Sequence, residues 1–492
     1  MRNSVQLVTY ADRLGGSLPG LRKVLDGPLA GLFGGVHVLP FFSPYDGADA
    51  GFDPQDHTLV DPRLGTWDDL RGIGETLETV VDVIVNHVSA DAPQFLDFVE
   101  RGQESPYADM FLTLSSVFPH GATEEALLAV YRPRPGLPFT PFTVAGNERR
   151  LVWTTFTNRQ IDLDPRSAQT REYLGAVLQK LSASGAAMIR LDAVGYAVKT
   201  PGTSSFMTAE TFAYIDELTE QARSLGLEVL VEVHSHFQKQ VEVGQRVDWV
   251  YDFALPPLVL HALGSGDGAP LARWLEIRPR NAVTVLDTHD GIGVVDVGAD
   301  SSDRTLFGLL APGDIDRLVE SIHAGSQGTS RLATGAAASN LDLYQVNCTF
   351  YDALGGDDAR YLLARLLQFF TPGIPQVYYV GLLAGSNDME LLARSGVGRD
   401  VNRHHYSEDE LAQALDRPVV QALMRLIRFR NAHPAFGGES SFAYDGRVLT
   451  MSWQRGYEQA VLAADLPAGA YTLTYTEDGT MRAIENVADL SH

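Results

Sequence analysis

Ile189-Arg190-Leu191-Asp192-Ala193-Val194-Gly195 is an apolar run that halts on a carboxylate, and three other stretches of the chain halt on polar residues, two of them on carboxylates and one on Asn86-His87. They are Asp82-Val83-Ile84-Val85-Asn86-His87, Val229-Leu230-Val231-Glu232-Val233-His234 and Val285-Leu286-Asp287-Thr288-His289-Asp290. Strands covered by helices on both faces read as near-continuous apolar runs, which is the habit of a parallel sheet. Working outward, β-rich segments recur at Val5–Tyr10, Gly35–Phe41, Val80–Asn86, Ala187–Val194, Leu227–His234, Trp249–Phe253, Ala282–Asp287 and Pro375–Val380. Eight is the strand count of a (β/α)8 TIM barrel, so the chain is expected to be α/β with that architecture. The connections agree. Thr211–Leu225 places Phe212, Ile215, Leu218, Ala222 and Leu225 close to helical spacing, and Gly226 can end the helix.

Two connections are too long to be loops. Residues 86–165 are rich in aromatics and prolines, including Tyr131-Arg132-Pro133-Arg134-Pro135-Gly136-Leu137-Pro138, and residues 292–355 contain the small-residue run Gly335-Ala336-Ala337-Ala338-Ser339. Both are expected to be inserted subdomains covering one mouth of the barrel. The barrel itself then comprises 1–85, 166–291 and 356–434. From 435 to 492 the pattern changes to short strands around Asp445-Gly446 and Asp478-Gly479, with Val448–Trp453 and Tyr471–Tyr475 as flanks. Such dipeptides mark hairpins, so a small all-β domain should close the chain.

Composition excludes some partners. The formal charge of −24 repels nucleic acid and anionic membranes, and the longest apolar runs, such as Val80–Val85, fall far short of the roughly 20 residues of a membrane span. An anionic substrate would have to be met by a few local cations. Cys348 has no partner for an intramolecular disulfide, and Met1-Arg2-Asn3 leads into the first strand without a signal-type apolar region, which points to the cytosol.

In a parallel barrel the catalytic groups sit at the carboxyl ends of the strands. There the four quoted runs deliver Asp192, Glu232, Asp290, His87, Arg190, His234 and His289 to one mouth. Singly, each is an ordinary turn or cap residue. Together they make a specific chemistry: two carboxylates flanking an anomeric carbon can act as nucleophile and general acid/base, and a third can stabilise an oxocarbenium-like transition state. Arg190 lies two residues before Asp192, hence on the same strand face, and would hold it ionised and oriented.

The four strand ends resemble the four signature regions of the α-amylase superfamily of glycoside hydrolases and transglycosidases. The resemblance makes Asp192 the nucleophile, Glu232 the acid/base and Asp290 the stabiliser, with His87, Arg190 and His289 lining a glucosyl subsite and the insertions corresponding to B-type modules. It narrows along most of the chain. The stretches 5–15, 46–53, 131–139 and 335–347 are similar to those of the sucrose phosphorylases. That likeness implies that Asp49 and Arg399 grip the outer hydroxyls of glucose, that Phe52 and Phe156 form apolar walls, and that Asp342 and Gln345 lie on a loop facing the acceptor. Tyr131, Arg134, Tyr196, His234 and Tyr344 would complete the site for fructose or phosphate.

The likeness therefore implies a retaining transfer of glucosyl from sucrose to inorganic phosphate, giving glucose 1-phosphate and fructose, by a homodimer. Asn86 matches a calcium ligand of many amylases, but no acidic calcium loop accompanies it, so no metal or cofactor is expected. Sibling phosphorylases acting on sucrose 6′-phosphate, glucosylglycerol or glucosylglycerate would share these catalytic residues. A sucrose hydrolase or transglucosidase, and a sugar-binding barrel without activity, are the remaining alternatives.

Overall fold

Eight parallel strands close on themselves in the computed structural model, which describes residues 1–47, 49–133, 136–300, 303, 305–336 and 345–490. They are β1 (Gln6–Thr9), β2 (Gly35–Val38), β3 (Glu78–Ile84), β4 (Met188–Asp192), β5 (Glu228–Val231), β6 (Trp249–Asp252), β7 (Ala282–Thr284) and β8 (Ile374–Tyr378). Each pairs with its neighbours in sequence order, and β1 pairs with β8 to complete the barrel. All eight fall within or beside the segments expected from the sequence. The helix expected at 211–225 spans Ala209–Ser224, with Phe212, Ile215, Leu218 and Ala222 buried against the barrel. Thr208 caps it by accepting from the Thr211 N–H at 3.3 Å.

The barrel interior carries polar side chains among the aliphatic ones. Arg190 on β4 is in register with Asp82 on β3, and its Nη1 donates to Asp82 Oδ1 at 2.6 Å. His37 Nε2 lies 2.9 Å from the other Asp82 oxygen, and Gln376 donates to Gln6 Oε1 at 2.9 Å. Buried charges are costly unless paired and hydrogen-bonded. Here the pairing forms a column that rises through the barrel to the mouth at the carboxyl ends of the strands.

Beyond the barrel, β9 (Glu439–Tyr444), β10 (Val448–Arg455), β11 (Glu458–Asp465), β12 (Ala470–Glu477) and β13 (Thr480–Ile484) form an antiparallel meander. Asp445-Gly446 and Asp478-Gly479 sit at two of its turns. Leu449, Met451 and Trp453 alternate with more exposed residues along β10, the period expected of a sheet with one covered face. Trp453 Nε1 donates to the Phe370 carbonyl at 2.8 Å, fixing this sheet to a barrel helix.

The connection after β3 has its own core, including Phe95, Phe98, Phe111, Val152 and Ile161. The connection after β7 returns to the mouth by a two-residue antiparallel ladder, Ile292 opposite Val346 and Gly293 opposite Gln345. Among the described residues, no helix is long and apolar enough to cross a membrane.

Candidate active site

At the mouth, Asp192 ends β4 and receives a hydrogen bond from Arg190 Nη1 at 2.7 Å. The same nitrogen serves Asp82, so Arg190 is anchored below and presents its charge above. Burial acts against the Asp82 charge, yet His37 and Arg190 hold that carboxyl down at about 2. The chain turns sharply after the strand. Ala193 adopts a left-handed conformation with φ 54°, unusual for a residue with a Cβ, and its N–H points at Glu232 Oε2 at 3.2 Å. That turn ties the two carboxylates of β4 and β5 together.

Burial pushes the Asp192 carboxyl up; Arg190 opposes this, while Glu232, Asp82 and Asp290 add to it. Negative neighbours thus work against the Asp192 charge as burial does. A cluster of that kind gains most when positive charge develops at its centre, as it does on a sugar in an oxocarbenium-like transition state. Asp290 differs. Burial would raise it, but His289, Arg399, Arg403 and His234 outweigh burial and hold it well below the usual carboxylate range.

One end of the pocket is closed by a guanidinium. Arg399 Nη1 lies 2.5 Å from Asp290 Oδ1 and its Nη2 lies 2.6 Å from Asp49 Oδ1. Phe52 stacks on His289 with ring centroids 4.7 Å apart and planes 6° from parallel. Phe156 meets His87 edge to face at 5.3 Å. Burial, with Arg190 and Arg403 adding to it and Asp290 opposing, pushes His289 down to about 3, so its imidazole is neutral. Burial lowers His87 as well; its Nε2 lies 2.9 Å from the Phe52 carbonyl.

The other side is aromatic and loop-built. Tyr196 packs on Phe156 at 5.0 Å, and Tyr131 stacks on Tyr196 at 6.1 Å. Gln345 is brought in by the ladder of the second insertion, its Oε1 accepting from Gly291 N–H at 3.3 Å. His234, two residues after Glu232, turns its Nε2 to 3.8 Å from Glu232 Oε1.

A cavity of about 90 Å3 joins these groups, lined by Asp49, Phe52, His87, Phe156, Asp192, Tyr196, Glu232, His234, His289, Asp290, Gln345 and Arg399. Arg190 lies beneath Asp192 and Tyr131 behind Tyr196. Arg134, Asp342 and Tyr344 lie outside the described residues. Pro133, Gln160 and Ala193 also line the cavity and were not singled out from sequence. Nothing local marks Gln160, whose amide reaches Asp49 Oδ2 at 3.4 Å across 111 residues. Asp82, by contrast, had a signal in being an acid inside an apolar run.

Asn86 has a different partner from the one its amylase likeness offers. Its Oδ1 accepts from Lys199 Nζ at 3.1 Å, and the same ammonium contacts Thr155 Oγ1 at 3.0 Å, Asp162 Oδ2 at 2.7 Å and the Tyr196 carbonyl. A buried cation already sits among these oxygens.

Comparison with known proteins gives one consistent result. The α-amylase catalytic domain family matches residues 16–246. The chain is 58% identical to a sucrose phosphorylase of Agrobacterium vitis over 476 residues, 96% of this chain and 97% of that one. It is 55% identical to a sucrose phosphorylase of Bifidobacterium adolescentis over 471 residues, 95% of this chain and 93% of the other. A crystal structure of sucrose 6F-phosphate phosphorylase from Thermoanaerobacter thermosaccharolyticum superposes with a TM-score of 0.89 at 38% identity, covering 99% of this chain and 98% of that one.

Proposed function

The chain belongs to the α-amylase family, within its sucrose phosphorylase branch, and on that footing we propose that it transfers glucosyl from sucrose to inorganic phosphate. The observation that carries the reading is Arg399 joined to both Asp49 and Asp290 beside Asp192 and Glu232. A glycan cleft must stay open at both ends. A pocket stoppered by an ion pair at one end takes a single terminal glucosyl unit and opens only toward the acceptor.

The chemistry is a double displacement. Glu232 gives its proton to the oxygen linking glucose to fructose as an Asp192 oxygen attacks the anomeric carbon, so the glycosidic bond breaks and a covalent β-glucosyl ester forms. Asp290 stabilises the charge that passes through the sugar, and Arg399 and Asp49 bind its outer hydroxyls. Fructose leaves. A phosphate oxygen then attacks the same carbon, the ester to Asp192 breaks, and Glu232 recovers a proton where phosphate carries one. Two inversions give α-D-glucose 1-phosphate with net retention. Arg134, His234, Tyr344 and Gln345 serve the incoming phosphate, with Asp342 and Tyr131 framing the fructosyl side. The enzyme works in the cytoplasm as a homodimer.

The test is product analysis. Incubation with sucrose should give fructose and, with phosphate present, glucose 1-phosphate in place of most free glucose. Free glucose alone, whatever the phosphate concentration, would make it a hydrolase. Faster turnover of sucrose 6′-phosphate or glucosylglycerol than of sucrose would place it with the sibling phosphorylases.

A further inference from the structure

Three histidines line the pocket, and their surroundings act on them differently. Burial lowers His87 and takes His289 down to about 3. His234 is as buried, yet its Nδ1 lies 2.9 Å from Oδ2 of Asp296, which is itself fully buried. The second Asp296 oxygen accepts from Ser235 N–H at 3.1 Å and from Gln240 Nε2 at 3.0 Å. These two donors are neutral. A carboxylate taken wholly out of water needs a countercharge, and among the described residues the ion partner of Asp296 is His234.

The ring is held on its faces too. His234 stacks on Phe253 with centroids 3.9 Å apart and planes 15° from parallel, and Phe253 stacks on Tyr251 at 4.9 Å. Gly293 closes the remaining side. A Cβ built there would lie 2.4 Å from Asp296 Oδ2 and 3.2 Å from His234 Nδ1, so only glycine leaves room for the pair. With Nδ1 committed to Asp296, Nε2 is the edge that faces the reacting groups. Glu232, His234 and Asp290 each bring an atom within 4.8 Å of the others.

We propose that Asp296 is a positioning residue that locks His234 with Nδ1 bonded and the ring cationic, so that His234 Nε2 meets the phosphate acceptor and favours it over water. The proposal rests on the phosphate-acceptor reading above and deepens it. Among the described residues, three charged groups face His234: Asp296 and Asp290 from the segment after β7, and Glu232 from just beyond β5. Phe253 and Gly293 bring no charge. Burial alone would lower the imidazole; Asp296 first, then Glu232 and Asp290, raise it to about 9. The placement also couples two acceptor contacts, because Gly293, three residues before Asp296, is in register with Gln345. One short segment thus orients both His234 and Gln345.

Asp296→Asn keeps the shape and removes the charge. In the full-length enzyme supplied with sucrose and inorganic phosphate at about pH 7, the ratio of free glucose to glucose 1-phosphate should rise roughly tenfold, the scale of one charge-assisted hydrogen bond. Fructose release should fall less than glucose 1-phosphate formation does. The pH profile separates this from a structural defect: the parent's ratio should stay level until about pH 9, whereas the variant's should already be raised by about pH 7, its own climb falling at or below the ordinary imidazole value of about 6.5. Gly293→Ala, which wedges ring and carboxylate apart without changing charge, should shift the ratio in the same direction. If Asp296→Asn does not fold, the titration of the His234 ring in the parent decides, read by 15N NMR on histidine-labelled enzyme and assigned by its loss in His234→Asn. A midpoint near the ordinary value of about 6.5 would overturn the inference, as would an Asp296→Asn product ratio and pH profile equal to the parent's. A parent that forms no glucose 1-phosphate would instead overturn the acceptor reading itself.

Discussion

The two sides of the pocket are built differently. On the glucosyl side, Asp192, Asp290, Arg190 and Arg399 stand on strand ends or are tied to them, each held by charged partners: Arg190 bridges Asp82 and Asp192, and Arg399 bridges Asp49 and Asp290. On the acceptor side, Tyr131, Tyr196 and Gln345 come from connections and, among the described residues, make ring-stacking contacts and a hydrogen bond to backbone, while His234 is held by a charged partner, Asp296. Rigid elements hold groups to the tolerance that bond-making needs, whereas loops can change with the acceptor. The lesson is a division of labour, and it can be broken by experiment: damage on the first side should slow every reaction of the enzyme, and damage on the second should redistribute products.

The largest effect is expected at Asp192. Asp192→Asn replaces the carboxylate proposed to attack by an amide, a far poorer nucleophile, while the Arg190 contact can be kept through the remaining oxygen. Sucrose turnover should fall by at least about 10⁴-fold, for phosphorolysis and hydrolysis alike. Fructose release by a carefully purified variant with an unchanged circular dichroism spectrum is the measurement. Substantial turnover would take the nucleophile's role from Asp192.

A smaller and equally uniform loss is expected where the pocket is stoppered. Arg399→Lys keeps one charge but cannot span Asp49 and Asp290 as a planar fork, so it should lower turnover of sucrose roughly a hundredfold while leaving the ratio of glucose to glucose 1-phosphate near the parent's. A changed ratio would mean that Arg399 reaches the acceptor, and the two sides would no longer be separable.

On the acceptor side the effect should be on partition. Arg134→Ala and His234→Ala should each weaken use of phosphate roughly ten- to a hundredfold, since a charge-assisted hydrogen bond is worth about 1.5–3 kcal/mol, and should slow fructose release less. The sign with pH follows from His234, raised to about 9: the ring is cationic below that value and neutral above it. Phosphate use by the parent should therefore decline as pH rises through about 9. Free glucose against glucose 1-phosphate over a range of phosphate concentrations checks both statements. If both variants keep the parent's phosphate dependence, the donors to phosphate lie elsewhere.

The same division governs what could be read from sequence. That Asp192, Glu232 and Asp290 meet at one cavity was legible because a strand end is a local event: an apolar run stops and a polar side chain follows. The eight barrel strands were legible for the same reason. Arg399 could be placed only through family likeness, because its partners lie 350 and 109 residues away in the chain and nothing local announces them. Gln160, Asp296 and Lys199 went unread. Each is an ordinary polar residue in its own stretch, and its role arises only when the insertions fold back onto the barrel mouth.

Lys199 gives the smallest expected effect and the sharpest test of how this chain differs from a metal-dependent amylase. Asn86 stands where the family likeness offers a calcium ligand, but a divalent ion needs six to eight oxygens at about 2.3–2.6 Å and cannot share that volume with an ammonium. Lys199 Nζ lies within 3.1 Å of Asn86 Oδ1, Thr155 Oγ1 and Asp162 Oδ2, so the positive charge that ties the first insertion to the strand ends is supplied by the chain itself. Adding calcium would bring two charges of one sign together in a buried space with Asp162 as the carboxylate between them. Prolonged treatment with a chelator, followed by removal of the complex, should therefore change neither the rate of fructose release nor the melting temperature. Recovery of lost activity on adding calcium would show that the ammonium is displaced in solution and would return Asn86 to the role of a ligand.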